Sequence, residues 1–142
     1  MHDIGKASPV FQKKLNATSQ EKPGSVFRHE IASLFFLSLI CKEHRDAVVD
    51  MVVAHHKSMY KDVREMGILD LDDNTDCFEE HSRGFKQWCD VALDILESLG
   101  MKTHKISMEE ANANYEYVIN YCDKRKAACS EWRGLMMAAD HM

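Results

Sequence analysis

Apolar residues recur along this chain at helical spacing, and no stretch alternates apolar and polar residues as a half-buried strand does. Phe27, Ile31, Leu34 and Phe35 are one example, because steps of three and four residues place them on one helical face. At 142 residues the chain has the length of one domain and can bury a core without disulfides. The sequence therefore predicts an all-α fold in a single domain, residues 1–142.

Start and stop signals divide the chain into six predicted helices. We expect them over residues 10–15, 26–44, 45–57, 77–99, 108–129 and from 131 to the C terminus. Ser8, Ser25, Ser107 and Ser130 are suited to cap four of these helices, and Gly100 is suited to follow the end of a fifth.

Two segments allow more than one interpretation. Residues 45–57 are rich in valine, which suits a strand, but Val48/Val52 and Val49/Val53 pair at i, i+4 and favour a helix. Residues 65–80 hold seven acids and no base, so we expect an exposed acidic loop there.

Composition indicates the cellular compartment and limits the classes of binding partner. The five cysteines are odd in number and form no CxxC pair, which indicates reduced core thiols in a cytoplasmic protein. No run of about 18 apolar residues is present, so we expect no membrane span. The net charge of −5 argues against a general nucleic-acid binder, although bound divalent cations would still attract phosphate.

Residue types that bind metals stand at four places in the chain. They are His2-Asp3, Arg28-His29-Glu30, His55-His56 and Ala139-Asp140. Imidazoles and carboxylates in one cluster can hold two divalent metals, and such pairs hydrolyse phosphate esters. Each pair alone is weak evidence, because a single histidine is more often a surface or core residue than a ligand. The combination, distributed over a helical chain, is much stronger.

These residues lie in longer motifs that resemble a known family. Residues 2–12, HDIGKASPVFQ, look like the signature of the CRISPR-associated HD nuclease domain, the nuclease part of the type I CRISPR helicase-nuclease. FRHE (27–30), AHH (54–56) and RGLMMAAD (133–140) match its later motifs in order. The resemblance implies an HD-domain helical bundle with a two-metal centre.

The resemblance also implies roles for individual residues. His2, Asp3 and Asp140 would hold one metal, while Asp3, His29, His55 and His56 would hold the other, with Asp3 bridging. Lys6 would orient the carboxylate of Asp3 or contact a substrate phosphate. Mixed imidazole and carboxylate ligands suit Mn, Fe, Co or Ni at least as well as Mg.

Members of this family normally have a helix with a further ligand histidine before the HD motif. This chain begins one residue before that motif, so either the domain is N-terminally incomplete or this protein lacks that ligand. In both cases we expect the first metal site to be weaker or empty. No G-x-x-x-x-G-K-[ST] motif is present, so we expect the helicase on a missing portion or a separate chain.

The predicted function is therefore metal-dependent cleavage of single-stranded DNA, with the CRISPR helicase and the RNA-guided surveillance complex as partners. One alternative is an HD-type phosphohydrolase acting on nucleotides or cyclic dinucleotides. Another is a catalytically incomplete HD module that only binds a partner. An accidental motif in an unrelated helical bundle is remote.

The remaining conspicuous residues are given structural roles. We expect His44, His81 and His104 at the surface and Trp88 and Trp132 in the core. Five basic residues could line a nucleic-acid path, although ordinary solvated side chains are the favoured interpretation, namely Lys13, Lys14, Lys57, Lys61 and Arg64.

Overall fold

Helices are the only regular elements in the ranges that the computed structural model describes, residues 1–16, 27–53, 77–125 and 131–140. The predicted all-α fold is confirmed. Three segments are 3-10 helices, Ile4–Ala7, Leu34–Leu39 and Lys42–His44. The α-helices are α1 (Pro9–Asn16), α2 (His29–Ser33), α3 (Arg45–Val53), α4 (Cys77–His81), α5 (Phe85–Ser98), α6 (Met108–Arg125) and α7 (Glu131–Asp140).

Local signals placed several helix ends correctly. The hydroxyl of Ser107 accepts the N–H of Glu110 at 3.1 Å and so caps the start of α6. Gly100 has a φ of 84° just after α5, and the N–H of Met101 donates to the carbonyl of Leu96 at 3.0 Å. This closes α5 in a Schellman arrangement, in which a residue with positive φ satisfies the last carbonyls.

The predicted helix over residues 26–44 is not continuous. It begins as α2 at His29, tightens into the 3-10 helix Leu34–Leu39, and stops where Ile40 becomes extended. Side chains from elsewhere satisfy the carbonyls there: the amide of Asn114 donates to Phe35 at 2.8 Å, and Arg45 donates to Ile40 at 3.0 Å. Asn114 is 79 residues from Phe35, so one of these donors comes from the distant helix α6. Ser25 and residue 26 lie outside the described ranges.

The predicted helix over residues 77–99 is also divided. Gly84 has a φ of 68°, which separates the short α4 from α5. Positive φ is favourable for glycine and ends the regular helix between the two segments. Residues 77–80 are therefore helical and not part of a loop, while 65–76, like the predicted end of α3 beyond residue 53, fall outside the described residues.

The core surrounds the 3-10 helix Leu34–Leu39, whose first four side chains are buried. Phe36 packs against Trp88 with ring centroids 5.6 Å apart, and Phe85 meets Trp88 edge-on at 5.0 Å. The expected burial of Trp88 is confirmed, whereas Trp132 is 48% exposed and the core prediction for it is wrong.

The cysteines of the described ranges are free thiols, as expected. Cys77, Cys89 and Cys122 are buried, but Cys41 is exposed. Within the same ranges, the helices are all too short or too polar to cross a membrane.

Candidate metal centre

The HD motif forms a tight turn that lies directly on the start of α2. The buried hydroxyl of Ser33 accepts the N–H of Gly5 at 2.8 Å and lies 2.7 Å from the carbonyl of His2 and 2.8 Å from that of His29. A Cβ on Gly5 would stand 2.0 Å from the carbonyl oxygen of His29. Only glycine permits this approach, so the motif's glycine brings the two predicted ligand segments together.

The carboxylate of Asp3 lies at the centre of the cluster. Its Oδ2 accepts a hydrogen bond from the ammonium of Lys6 at 2.7 Å and lies 3.5 Å from Nε2 of His2. Its Oδ1 lies 3.3 Å from Nε2 of His29. Each imidazole therefore faces a different oxygen. Burial raises the pKa of Asp3, but the hydrogen bond and charge of Lys6 and the charges of the two imidazoles hold it below its usual value.

His29 is held from two further directions. Its ring meets Phe11 of α1 edge-on at a centroid distance of 5.3 Å. On the side of the ring away from Asp3, Nδ1 lies 3.5 Å from Oε2 of Glu30. Only 13% of the His29 side chain is exposed, so the ring is fixed by the fold and not by solvent.

The other predicted ligands cannot be placed. His55 and His56 lie outside the described residues, and Asp140 ends α7 but its side chain is not described. In the described part of the chain, no three His, Cys, Asp or Glu side chains converge as a metal-binding group.

The residues in place nevertheless fit a cation. Oδ1 of Asp3 is shielded from solvent and has no hydrogen-bond partner within the described ranges. A buried carboxylate oxygen without a donor is unfavourable unless a cation satisfies it. Together with Nε2 of His29, 3.3 Å away, this oxygen supplies the mixed nitrogen and oxygen donors that suit first-row transition metals.

One histidine was placed wrongly from the sequence. His81 was expected at the surface, but it is fully buried. Its Nε2 accepts the N–H of Arg28 at 2.8 Å, its Nδ1 donates to the carbonyl of Cys77 at 2.6 Å, and its ring stacks on Phe27. His81 thus anchors the residue that precedes α2. His44 and His104 are exposed, as expected.

Glu30 and Ser33 both contact the cluster, although neither was given a role from the sequence. The signal for Glu30 was present, because an acid follows a candidate ligand histidine and a base precedes it. Of the basic residues considered for a nucleic-acid path, Lys14 donates to the carbonyl of Phe27 at 3.2 Å and Lys13 is exposed. Lys57, Lys61 and Arg64 lie outside the described ranges.

A family model described as Cas3, HD domain, matches residues 1–142. Neither the curated proteins nor the solved structures contain a significant match.

Proposed function

Because the chain belongs to the Cas3 HD-domain family, we propose that it is a metal-dependent phosphodiesterase that cleaves single-stranded DNA in type I CRISPR defence. The family implies an HD-type nuclease that works with the CRISPR helicase and complex. The proposal adds the substrate, the metals and the residues that hold them. Its main support is that Asp3 faces His2 with one oxygen and His29 with the other.

Two cations at this carboxylate would activate a water and stabilise the charge that develops on the phosphate. Asp3 would contact both, with His2 and Asp140 completing one ligand set and His29, His55 and His56 completing the other. Lys6 keeps the carboxylate ionised and oriented. A carboxylate oxygen has two lone pairs, so the bond from Lys6 leaves Oδ2 able to accept a second partner.

Cleavage of single-stranded DNA with and without chelator tests the proposal. The purified protein should convert a labelled oligonucleotide to shorter products with Mn²⁺ or Ni²⁺ and lose that activity in EDTA. Asp3→Ala should abolish both cleavage and metal content by elemental analysis. Asp90→Ala is the matched control, because Asp90 is an exposed aspartate on α5. Unchanged metal content and activity in Asp3→Ala would refute the proposal.

Two alternative functions can be distinguished by testing further substrates in the same assay. Hydrolysis of free nucleotides or cyclic dinucleotides in place of DNA would support a different HD phosphohydrolase. Metal binding without hydrolysis of any of these substrates would support a binding module.

A further inference from the structure

We propose that Glu30 is a positioning residue for this centre: its carboxylate keeps the imidazole proton of His29 on Nδ1 and so presents an unprotonated Nε2 towards Asp3. This inference rests on the proposed role of His29 as a metal ligand. Oε2 of Glu30 lies 3.5 Å from Nδ1, and Nε2 lies 3.3 Å from Oδ1 of Asp3. The ring therefore stands between two carboxylates, one on each nitrogen.

Glu30 is fixed in a single role by its surroundings. It is 2% exposed, and its Oε1 accepts a hydrogen bond from Nε of Arg28 at 2.6 Å. Both side chains of this pair are at most 5% exposed, and such a buried ion pair is stable only with the carboxylate ionised. An ionised carboxylate has no proton to donate. Because Glu30 can only accept, its contact with Nδ1 at 3.5 Å favours the tautomer that carries the proton on Nδ1.

The contact on the opposite side of the His29 ring explains why this tautomer suits a metal centre. Oδ1 of Asp3 is an acceptor without a hydrogen-bond partner in the described ranges. With the imidazole proton on Nδ1, Nε2 is an acceptor as well, so two acceptors face each other across 3.3 Å. A cation between them would relieve that repulsion. A carboxylate on the far nitrogen of a ligand histidine fixes both tautomer and ring orientation in this way.

The first test needs no metal and no activity. Long-range ¹H–¹⁵N correlation spectra at mildly alkaline pH, where imidazoles are neutral, report which nitrogen of each histidine carries the proton. Loss of one signal set in His29→Gln assigns the resonance. We expect the Nδ1–H tautomer in the unsubstituted protein. In Glu30→Gln, an amide can donate to Nδ1, and the population should move towards Nε2–H. An Nε2–H tautomer before substitution, or no change after it, would overturn the inference.

The second test measures Mn²⁺ affinity by electron paramagnetic resonance. Loss of such a carboxylate weakens metal binding by about 10- to 100-fold, and we expect Glu30→Gln to fall in that range. Glu110→Gln is the control, because Glu110 accepts a hydrogen bond from His104 at 2.8 Å on the surface. It should bind Mn²⁺ as the unsubstituted protein does. Equal affinity in Glu30→Gln would overturn the inference.

The two proposals fail in different ways. If the unsubstituted protein binds no Mn²⁺, the proposed function fails, and the tautomer spectrum still decides the role of Glu30. If Glu30→Gln does not fold, Glu30→Asp replaces it, because the shorter carboxylate stays charged for Arg28 but withdraws from His29. A mixed tautomer is then expected, and an unchanged Nδ1–H population would overturn the inference.

Discussion

The hydroxyl of Ser33 accepts the N–H of Gly5 at 2.8 Å and thereby fastens the turn that carries the HD motif to α2. The two residues are 28 positions apart in the chain. Because Ser33 is fully buried, no water replaces this bond when the hydroxyl is removed.

Ser33→Ala should therefore lower the free energy of unfolding by about 1–3 kcal/mol, the cost of leaving a buried N–H unsatisfied. Urea denaturation followed by circular dichroism measures this change. Ser98→Ala is the control, because the Ser98 hydroxyl is exposed and bonds only within its own helix. It should change stability by less than about 0.5 kcal/mol. Equal effects from the two substitutions would contradict the role assigned to Ser33.

Gly5→Ala should damage both the fold and the centre. The added methyl would overlap the carbonyl of His29, and relieving such a clash costs about 1–3 kcal/mol or more. Gly134→Ala makes the same chemical change inside α7, where a Cβ meets nothing within 4 Å. That substitution should stabilise the protein by up to about 1 kcal/mol. Thermal unfolding of both variants checks the opposite signs.

His81 should make stability fall in mild acid. Burial lowers its pKa to about 4 from 6.5, although the Cys77 carbonyl opposes part of that change. The unfolded chain therefore binds a proton that the folded protein excludes between pH 6.5 and 4. The stabilisation is complete above that window and is lost within it, with a size on the order of 3 kcal/mol.

The free energy of unfolding measured across this pH range tests the assignment. His81→Gln should start from a lower stability but flatten the dependence on pH. His104→Gln removes an exposed imidazole and should leave the dependence as it was. A slope that survives in His81→Gln would show that another group is responsible.

Lys6→Gln should reduce DNA cleavage more than it reduces folding stability. The Lys6 side chain is 40% exposed, so its bond to Asp3 contributes little to the stability of the fold. A charged hydrogen bond at a reacting phosphate is worth about 1.5–3 kcal/mol. We expect cleavage to slow by roughly 10- to 100-fold. Lys102→Gln, at an exposed position between α5 and α6, should cleave at the original rate. Initial rates on one oligonucleotide compare the two.

Metal choice follows from the donor atoms. After EDTA treatment, Mn²⁺ or Ni²⁺ should restore cleavage better than Mg²⁺, because imidazole nitrogen is a poor ligand for Mg²⁺. A titration of each ion against the same substrate measures this order. Full activity with Mg²⁺ and none with Mn²⁺ or Ni²⁺ would show that the ligand assignment is wrong.

The features that depend on neighbouring residues were predictable from the sequence. Gly100 ends α5 and Ser107 begins α6, because both act on the backbone a few residues away. The division at Gly84 was missed, because apolar spacing continues across it through Phe85 and Trp88. The 3-10 segment was missed for another reason. The side-chain amide that donates to its Phe35 carbonyl belongs to Asn114, which lies 79 residues away in the sequence.

The same distinction applies to the site. The family resemblance implied that His2, Asp3 and His29 share a metal centre, which stays a prediction; the structure places both imidazoles within 3.5 Å of the Asp3 carboxylate. His81 was assigned to the surface because its sequence neighbours are polar. Its actual partner is a backbone N–H 53 residues away, and no local pattern reveals that contact. The contacts of Ser33 likewise depend on how α2 meets the N-terminal turn.

The 3-10 helix Leu34–Leu39 has a consequence for tolerance to mutation. A 3-10 helix has three residues per turn, so successive side chains point in three directions about the axis. The first four side chains of this helix are all buried, so every one of these directions faces the core. An amphipathic helix has a solvent-exposed face on which a polar residue is tolerated, but residues 34–37 of this 3-10 helix have no such face. Single asparagine substitutions at residues 34–37 should each destabilise the protein. An amphipathic α-helix would instead show destabilising and tolerated positions alternating every three to four residues.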